Sequence, residues 1–399
     1  MNCSAYGGTG SVVVDFLSST KNASFQELFV KDIPHGNNYS HFEAACLHDN
    51  GTLWKQAGLN PFYFIDEMVQ AQTSLRKPVE SKTNVLIFLM DALSRDTMHS
   101  VLDRLTLKFS EMQSWEYEGL STTNGANSDP NWGALFCNDY TSTNCTKSLI
   151  DKARLSGYYT LFLNNYIGQY PCPWQLGPHT TFIPAFTDLD RPDLGHSCTK
   201  GNSIQTSWMR TFTDVVKASS TPVFGVIAPH QAHNTDLTML KQFETELLKT
   251  FDDMYHSDLW RSSVVIFIAD HGLHYDSQSK STDPGELYST RDISAAAAHR
   301  NPVLYILNAF HLGYSLSTYE ANRGALISMH DVYTTIDQVL SNSAGNHKSS
   351  AQSSSGAAHK YFDLLTEVVP INRTCADASI STFCNCWVGL CRVSPRTFD

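Results

Sequence analysis

Two unbroken apolar runs stand out along the chain. Residues 84–91 read NVLIFLMD and residues 263–272 read SVVIFIADHG. Both contain β-branched residues, and both end in acid, at Asp91 and at Asp270-His271. Continuous rather than alternating apolar character is the pattern of a strand covered on both faces, as in a parallel sheet. An acid just past such a strand sits at the sheet's carboxyl edge, where open α/β sheets bind their ligands. Further strands are predicted at 115–121 (WEYEGLS), 158–166 (YYTLFLNNY), 222–230 (PVFGVIAPH, closing on His230) and 302–308 (PVLYILN). A helix is expected over 94–110, with Ser94 as its N-cap. Another spans 236–256, with Leu237, Leu240, Phe243, Leu247 and Phe251 near one face. A last helix is expected near 329–340.

The alternation of strands and helices predicts an α/β fold: a mostly parallel central sheet flanked by helices on both faces, with irregular disulfide-containing ends. The expected organisation is an irregular glycosylated N-terminal segment (1–83), a catalytic domain (84–370) and a Cys-rich C-terminal tail (371–399). Residues 341–358 are rich in Ser, Gly and Ala and read as a flexible loop. The aromatic- and proline-rich stretch 166–200 lies between two strands, and such insertions often shape a pocket mouth.

Composition narrows the partners. The chain has 399 residues, 42% hydrophobic and 17% charged, enough for one large domain or two smaller ones. Its net charge of −11, with no basic tract, argues against a nucleic-acid backbone as partner. No apolar run approaches the roughly 18–20 residues of a membrane span. Ten cysteines are present and none forms a CxxC pair, which disfavours a zinc ribbon or a thioredoxin-type site. Six sequons, at Asn2, Asn22, Asn38, Asn50, Asn144 and Asn372, lie outside the strand cores and mostly near the cysteines. Together these predict an oxidised glycoprotein, secreted, at the cell surface or in the secretory-pathway lumen. The N-terminus, MNCSAYGG, has no apolar signal segment, so a signal is expected outside this chain.

The candidate chemistry begins with Asp91, Asp270 and His271, an Asp/Asp/His set of metal-ligand type. Between them in sequence lies GANSDPNWGALF, residues 125–136. Pro130 suits the first turn of a helix, and Ser128 or Asp129 its N-cap. A hydroxyl at a helix N-terminus sits where backbone N–H groups favour an anion, the setting for attack on a phosphate or sulfate ester. Every member has a plainer reading. Ser128 is an ordinary helix cap, Asp91 caps the following helix, and His271 is a buried histidine bonded to backbone. His230 and His233 belong to a polar loop, His274 is an exposed loop residue, and His299 caps an apolar helix. The case for a site rests on several of them following strands.

In order, the chain carries Asp91-Ala92-Leu93-Ser94-Arg95, Asn127-Ser128-Asp129-Pro130-Asn131, His230-Gln231, Ala269-Asp270-His271-Gly272 and His299-Arg300-Asn301-Pro302. This five-block order, over residues 84–340, resembles the alkaline phosphatase superfamily, and within it the sulfatase-like branch known as domain of unknown function 229. The resemblance implies a metal-dependent hydrolase with a two-metal site. Asp91, Ser128, Asp270 and His271 would hold one ion. His230 and His299, with His233 or His274, would hold or flank a second. Ser128 would be the metal-activated nucleophile, Asn131 would donate to an ester oxygen, and Arg95 would orient Asp91 or face the substrate. The chain departs from the branch in three places: Ser128 stands where Thr is usual, and Gln231 and Ala298 stand where acids are usual. The loss of two carboxylates weakens the second metal position.

The leading expectation is hydrolysis of a small-molecule, glycan or lipid phosphate or sulfate ester. Zinc suits the His/Asp donor set best, with manganese, magnesium and calcium as alternatives. Sulfatases of this superfamily use a modified cysteine, and no cysteine stands at position 128, which favours phosphate chemistry. Phosphoryl transfer to an acceptor other than water is a variant of the same reading. The rival from another class is a degenerate pseudoenzyme, a binding or structural glycoprotein, supported by Gln231 and Ala298. A third reading gives the functional contacts to the Cys-rich ends.

Overall fold

The computed structural model describes residues 2–7, 41–47, 53–59, 83–123, 128–137, 148–164, 181–183, 222–229, 232, 237–272, 299–342, 361–380 and 384. The chain divides into two compact units, Met1–Pro78 with Ile183–Thr221 and Val79–Phe182 with Pro222–Asp399. Within the first, β1 (Asn2–Gly7), β2 (His41–Leu47) and β3 (Leu53–Leu59) form an antiparallel sheet in that order. Cys3 pairs with Cys46 in the ladder and Leu47 with Leu53. The N-terminal segment therefore contains regular structure where the sequence pattern reads as irregular. Strands such as LWKQAGL mix polar and small residues and lack the apolar run by which buried strands announce themselves.

The second unit is built on a larger sheet. Its strands are β4 (Asn84–Met90), β5 (Trp115–Glu116), β6 (Tyr159–Asn164), β7 (Thr181–Ile183), β8 (Val223–Ala228), β9 (Ser263–Ala269) and β10 (Leu304–Leu307). They lie in the order β5-β10-β9-β4-β8-β6-β7. Strands β9, β4, β8 and β6 run parallel to one another, whereas β10 is antiparallel to β9 and β5 antiparallel to β10. All seven residues of both β4 and β9 are buried, which is why those two runs are continuously apolar. The segment WEYEGLS forms only the two residues of β5 before a turn, and Leu120 makes an isolated bridge to Ile327.

Helices cover both faces. They are α1 (Arg95–Val101), α2 (Asp103–Glu111), α3 (Ser128–Cys137), α4 (Leu149–Leu155), α5 (Leu237–Tyr255), α6 (Asp258–Arg261), α7 (Leu316–Asn322) and α8 (Met329–Asn342). Side chains alternate across a strand. Val85, Ile87 and Leu89 of β4 and Val264, Ile266 and Ile268 of β9 join one core with Leu135 and Phe136 of α3 and Ile336 and Leu340 of α8. Phe88 and Phe267 point the other way. There Phe88 packs on Phe251 of α5 (centroids 4.6 Å apart) and Phe267 on Phe109 of α2 (5.3 Å). Among the described residues no helix is long and apolar enough to cross a membrane.

The helix expected over 94–110 starts as the sequence predicts and then breaks. Ser94 is its N-cap, with Oγ accepting from Thr97 N–H at 3.0 Å. At Leu102 the backbone leaves the helical region (φ −100°, ψ 44°), and α2 starts without a side-chain cap of its own. The cap comes from α5: the buried Glu244 carboxylate accepts from Arg104 N–H (2.9 Å) and Leu105 N–H (3.1 Å). Glu244→Ala would strand both donors, one of them fully buried. It is expected to cost about 1–3 kcal/mol, read as a lowered urea midpoint with an unchanged slope.

Gly119 marks a close approach. A Cβ there would stand 1.8 Å from the backbone oxygen of Ala325, in the segment where Ile327 N–H donates to Gly119 O at 3.0 Å. At the C-terminal side, Cys375 and Cys384 form a disulfide. Beyond Ser341 and Asn342 in α8, the Ser/Gly/Ala-rich stretch 341–358 lies outside the described residues. So does all of 166–200 except β7.

Candidate metal centre

The ladder between β4 and β9 builds the site. Met90 pairs with Ala269 in parallel register, so the next residues, Asp91 and Asp270, leave the sheet side by side. The chain turns at once after Asp91: Ala92 adopts φ 59°, a left-handed conformation that costs a non-glycine residue about 1–2 kcal/mol. That turn aims Ala92 N–H at Asp270 Oδ1 (3.2 Å). Backbone strain held in place beside converging acids is characteristic of functional sites.

Asp270 and His271 are fully buried, and Asp91 is 6% exposed. Asp270 Oδ1 also accepts from His271 N–H (2.9 Å), and Oδ2 accepts from the indole Nε1–H of Trp132 (2.8 Å). His271 Nδ1 lies 2.7 Å from the carbonyl oxygen of Gly272. Because a carbonyl only accepts, Nδ1 carries the proton, and Nε2 turns its lone pair inward. There it lies 3.6 Å from both Asp91 Oδ1 and Asp270 Oδ2. One ligand atom from each of the three residues lies within 4.8 Å of the other two. Burial pushes the Asp270 carboxyl above its ordinary range; His271 opposes the rise and Asp91 adds to it.

Ser128, the first residue of α3, brings its hydroxyl to this cluster. Oγ is 3.3 Å from His271 Nε2 and 3.5 Å from Asp91 Oδ1. His299 lies beside His271. Its ring stacks on that of His271 with centroids 5.5 Å apart. Its carbonyl accepts from Gly272 N–H (2.9 Å) and Thr122 Oγ1–H (3.0 Å). The segment after it is tied along the turn that follows Asp91, through Arg95 N–H to Asn301 O (2.9 Å) and Val303 N–H to Leu93 O (3.2 Å).

Two residues predicted for the site hold partners beyond the acid–histidine cluster. Arg95 does not reach Asp91: its Nε donates to Glu116 (2.7 Å) and its Nη2 lies 3.7 Å from Glu118, because two acids around β5 offer it nearer charge-assisted partners. Glu116 also meets His99 at 2.6 Å. Asn131 is fully buried, and its Oδ1 accepts from Thr123 N–H (2.9 Å), tying α3 to the chain that leads from β5. His230, His233 and His274 lie outside the described residues. Trp132 is the contributor that sequence reading passed over. Its one signal is position, four residues after Ser128 and hence on the same side of α3.

The fold and cluster thus define an α/β protein with a buried carboxylate–histidine centre at the carboxyl edge of its sheet. The chain belongs to the family described as "Protein of unknown function (DUF229)", whose model matches residues 184–390. This agrees with the branch that the motif order resembles. Among curated proteins nothing matches. Among solved structures, the chain is similar to Ps i-CgsB crystallised with k-i-k-neocarrahexaose (13% identity, 65% of this chain and 72% of that one, TM-score 0.46). It is similar to a protein in the alkaline phosphatase superfamily from Vibrio parahaemolyticus (13% identity, 69% and 74%, TM-score 0.44). It is also similar to the phosphonate monoester hydrolase of Silicibacter pomeroyi (11% identity, 67% and 78%, TM-score 0.43).

Proposed function

We propose that the protein is a metal-dependent hydrolase of phosphate or sulfate esters, with Ser128 as nucleophile and Asp91, Asp270 and His271 as ligands of a divalent cation. One observation carries this reading: three lone-pair atoms, two on carboxylates and one on an imidazole, converge in a buried site beside a serine hydroxyl. Burying such a set is costly unless a cation completes it. The mix of nitrogen and oxygen donors fits zinc first and manganese or magnesium next. A bound divalent cation would neutralise charge on the ester and favour the ionised hydroxyl.

The residues supply the rest. Ser128 stands at the N-terminus of α3, the positive end of the helix dipole, which favours an anionic ester group. Its Oγ attacks phosphorus or sulfur, the bond to the leaving alcohol oxygen breaks, and water later releases the group from serine. With the His271 Nε2 lone pair given to the cation, Asp91 Oδ1 is the near acceptor for the hydroxyl proton. Asn131 belongs to the scaffold that holds α3. His299 and His230 are proposed to flank the centre, and a phosphate ester of a small molecule, glycan or lipid is the favoured substrate. The oxidising compartment is proposed from the cysteines and sequons; of the six sequon asparagines, Asn372 lies on the described surface and is exposed.

The test is direct. Protein incubated with Zn²⁺ or Mn²⁺ should retain about one or two ions and hydrolyse p-nitrophenyl phosphate or p-nitrophenyl sulfate. A chelator should abolish that turnover, and the metal should restore it. A protein that retains metal but turns over neither ester would favour the binding-protein reading that Gln231 and Ala298 support.

A further inference from the structure

Trp132 lies 7% exposed on α3, on the same side of the helix as Ser128. Its indole N–H donates at 2.8 Å to Asp270 Oδ2. That oxygen is the one turned toward the cluster, 3.6 Å from His271 Nε2. The other oxygen, Oδ1, takes the N–H groups of Ala92 and His271. The carboxylate is therefore held at both ends, by two backbone donors on one oxygen and the indole N–H on the other, and the Ser128 hydroxyl also bonds to it.

We propose that Trp132 is the positioning residue of this centre. It holds Asp270 in a pose that presents Oδ2 alone, and it ties the helix bearing the Ser128 hydroxyl to the strand bearing the acid. The inference rests on the reading above that a divalent cation binds here. Its physical basis is rotation. With Oδ1 anchored, turning the carboxylate about that anchor moves Oδ2 out of line with Asp91 Oδ1 and His271 Nε2. The indole N–H, at 2.8 Å from Oδ2 and on a rigid ring, opposes this turn. Trp132 and Asp270 lie on separate elements, so the same bond sets the height of Ser128 relative to the acids. Donors that orient a metal-binding side chain in this way typically change metal affinity by about 10–100-fold.

Trp132→Phe keeps an aromatic ring in the core and removes the N–H. Affinity for Zn²⁺ or Mn²⁺ alone would be measured by chelator competition, and the metal-free melting temperature would be recorded for both proteins. The expected result is a loss of affinity of about 10–100-fold in the variant, measured at a temperature where both metal-free proteins are folded, together with a lower metal-free melting temperature from the lost buried hydrogen bond. Equal affinity in wild type and variant would overturn the inference and leave the proposed metal centre standing. Absence of any ion binding in the wild type would overturn both. If the phenylalanine variant does not fold, the benzothienyl isostere of tryptophan at position 132, with sulfur in place of the N–H, makes the same comparison at full ring volume.

Discussion

Ser128→Ala is expected to lower turnover of p-nitrophenyl phosphate by roughly 10³-fold or more. The hydroxyl is the one nucleophilic group that the described structure places against the acid–histidine cluster, 3.3 Å from His271 Nε2 and 3.5 Å from Asp91 Oδ1. Removing it takes away the atom that would form the covalent bond, and water would have to attack in its place. The substitution leaves Asp91, Asp270, His271 and the Trp132 bond untouched, so ion affinity should fall far less than turnover. Ser128 is half-buried at the start of its helix, so the melting temperature should move little. Steady-state kinetics with ion binding on the same preparations separates these effects. Turnover retained in the alanine variant would mean that Ser128 is not the nucleophile; turnover and ion binding lost together would mean that its main role is to complete the metal site.

Arg373→Met is expected to be among the most destabilising single changes, costing about 3–5 kcal/mol. Arg373 reaches into the base of α8, where its Nη1 donates to Asp331 Oδ2 at 2.7 Å and to Leu326 O at 3.2 Å. Both side chains of the pair are buried. Asp331 also accepts from Ser328 N–H (2.8 Å), Ser328 Oγ–H (3.0 Å) and Phe362 N–H (2.9 Å). The guanidinium lies 5.0 Å from the centroid of the Phe362 ring. Methionine fills much of the volume and removes the charge, which leaves Asp331 buried beside neutral donors alone. Adding Asp331→Asn to Arg373→Met should recover part of the loss, because the uncompensated charge is then gone. Urea unfolding of the two single variants and the double variant measures the coupling. Simple additivity of the two losses would show that the pair does not act as a unit. Residues 361–380 thus pack into the domain through Asp331.

Some of this was legible in one dimension because the cause is local. β4 and β9 are apolar along their whole length since both faces are covered, and that requirement is written in the residues themselves. Ser94 caps α1 through an acceptor three residues from its donor. On α5, Leu240, Phe243, Leu247 and Phe251 are buried as their spacing predicts, while Leu237, in the first turn, is 37% exposed. Other features were hidden because the cause is distant. The break at Leu102 is supported by Glu244, about 140 residues further on. Arg95 follows an acid-tipped strand and reads as part of the site, yet Glu116 and Glu118, in and just after β5, claim it from about twenty residues further on. The indole of Trp132 looks like core in the sequence, and only its partner reveals the polar task.

The sequence by itself determined that acids stand at the ends of buried strands and that a serine opens a helix between them. Whether those groups meet was decided in three dimensions. Parallel pairing of Met90 with Ala269 sets Asp91 beside Asp270. The reversed direction of β10, with Leu304 opposite Ile268, brings the chain that enters that strand to the same edge, so that His299 stacks on His271. In a wholly parallel sheet the residues before β10 would lie at the opposite end. Strand direction depends on hydrogen bonds between segments far apart in the chain, and no local pattern of apolar and polar residues encodes it.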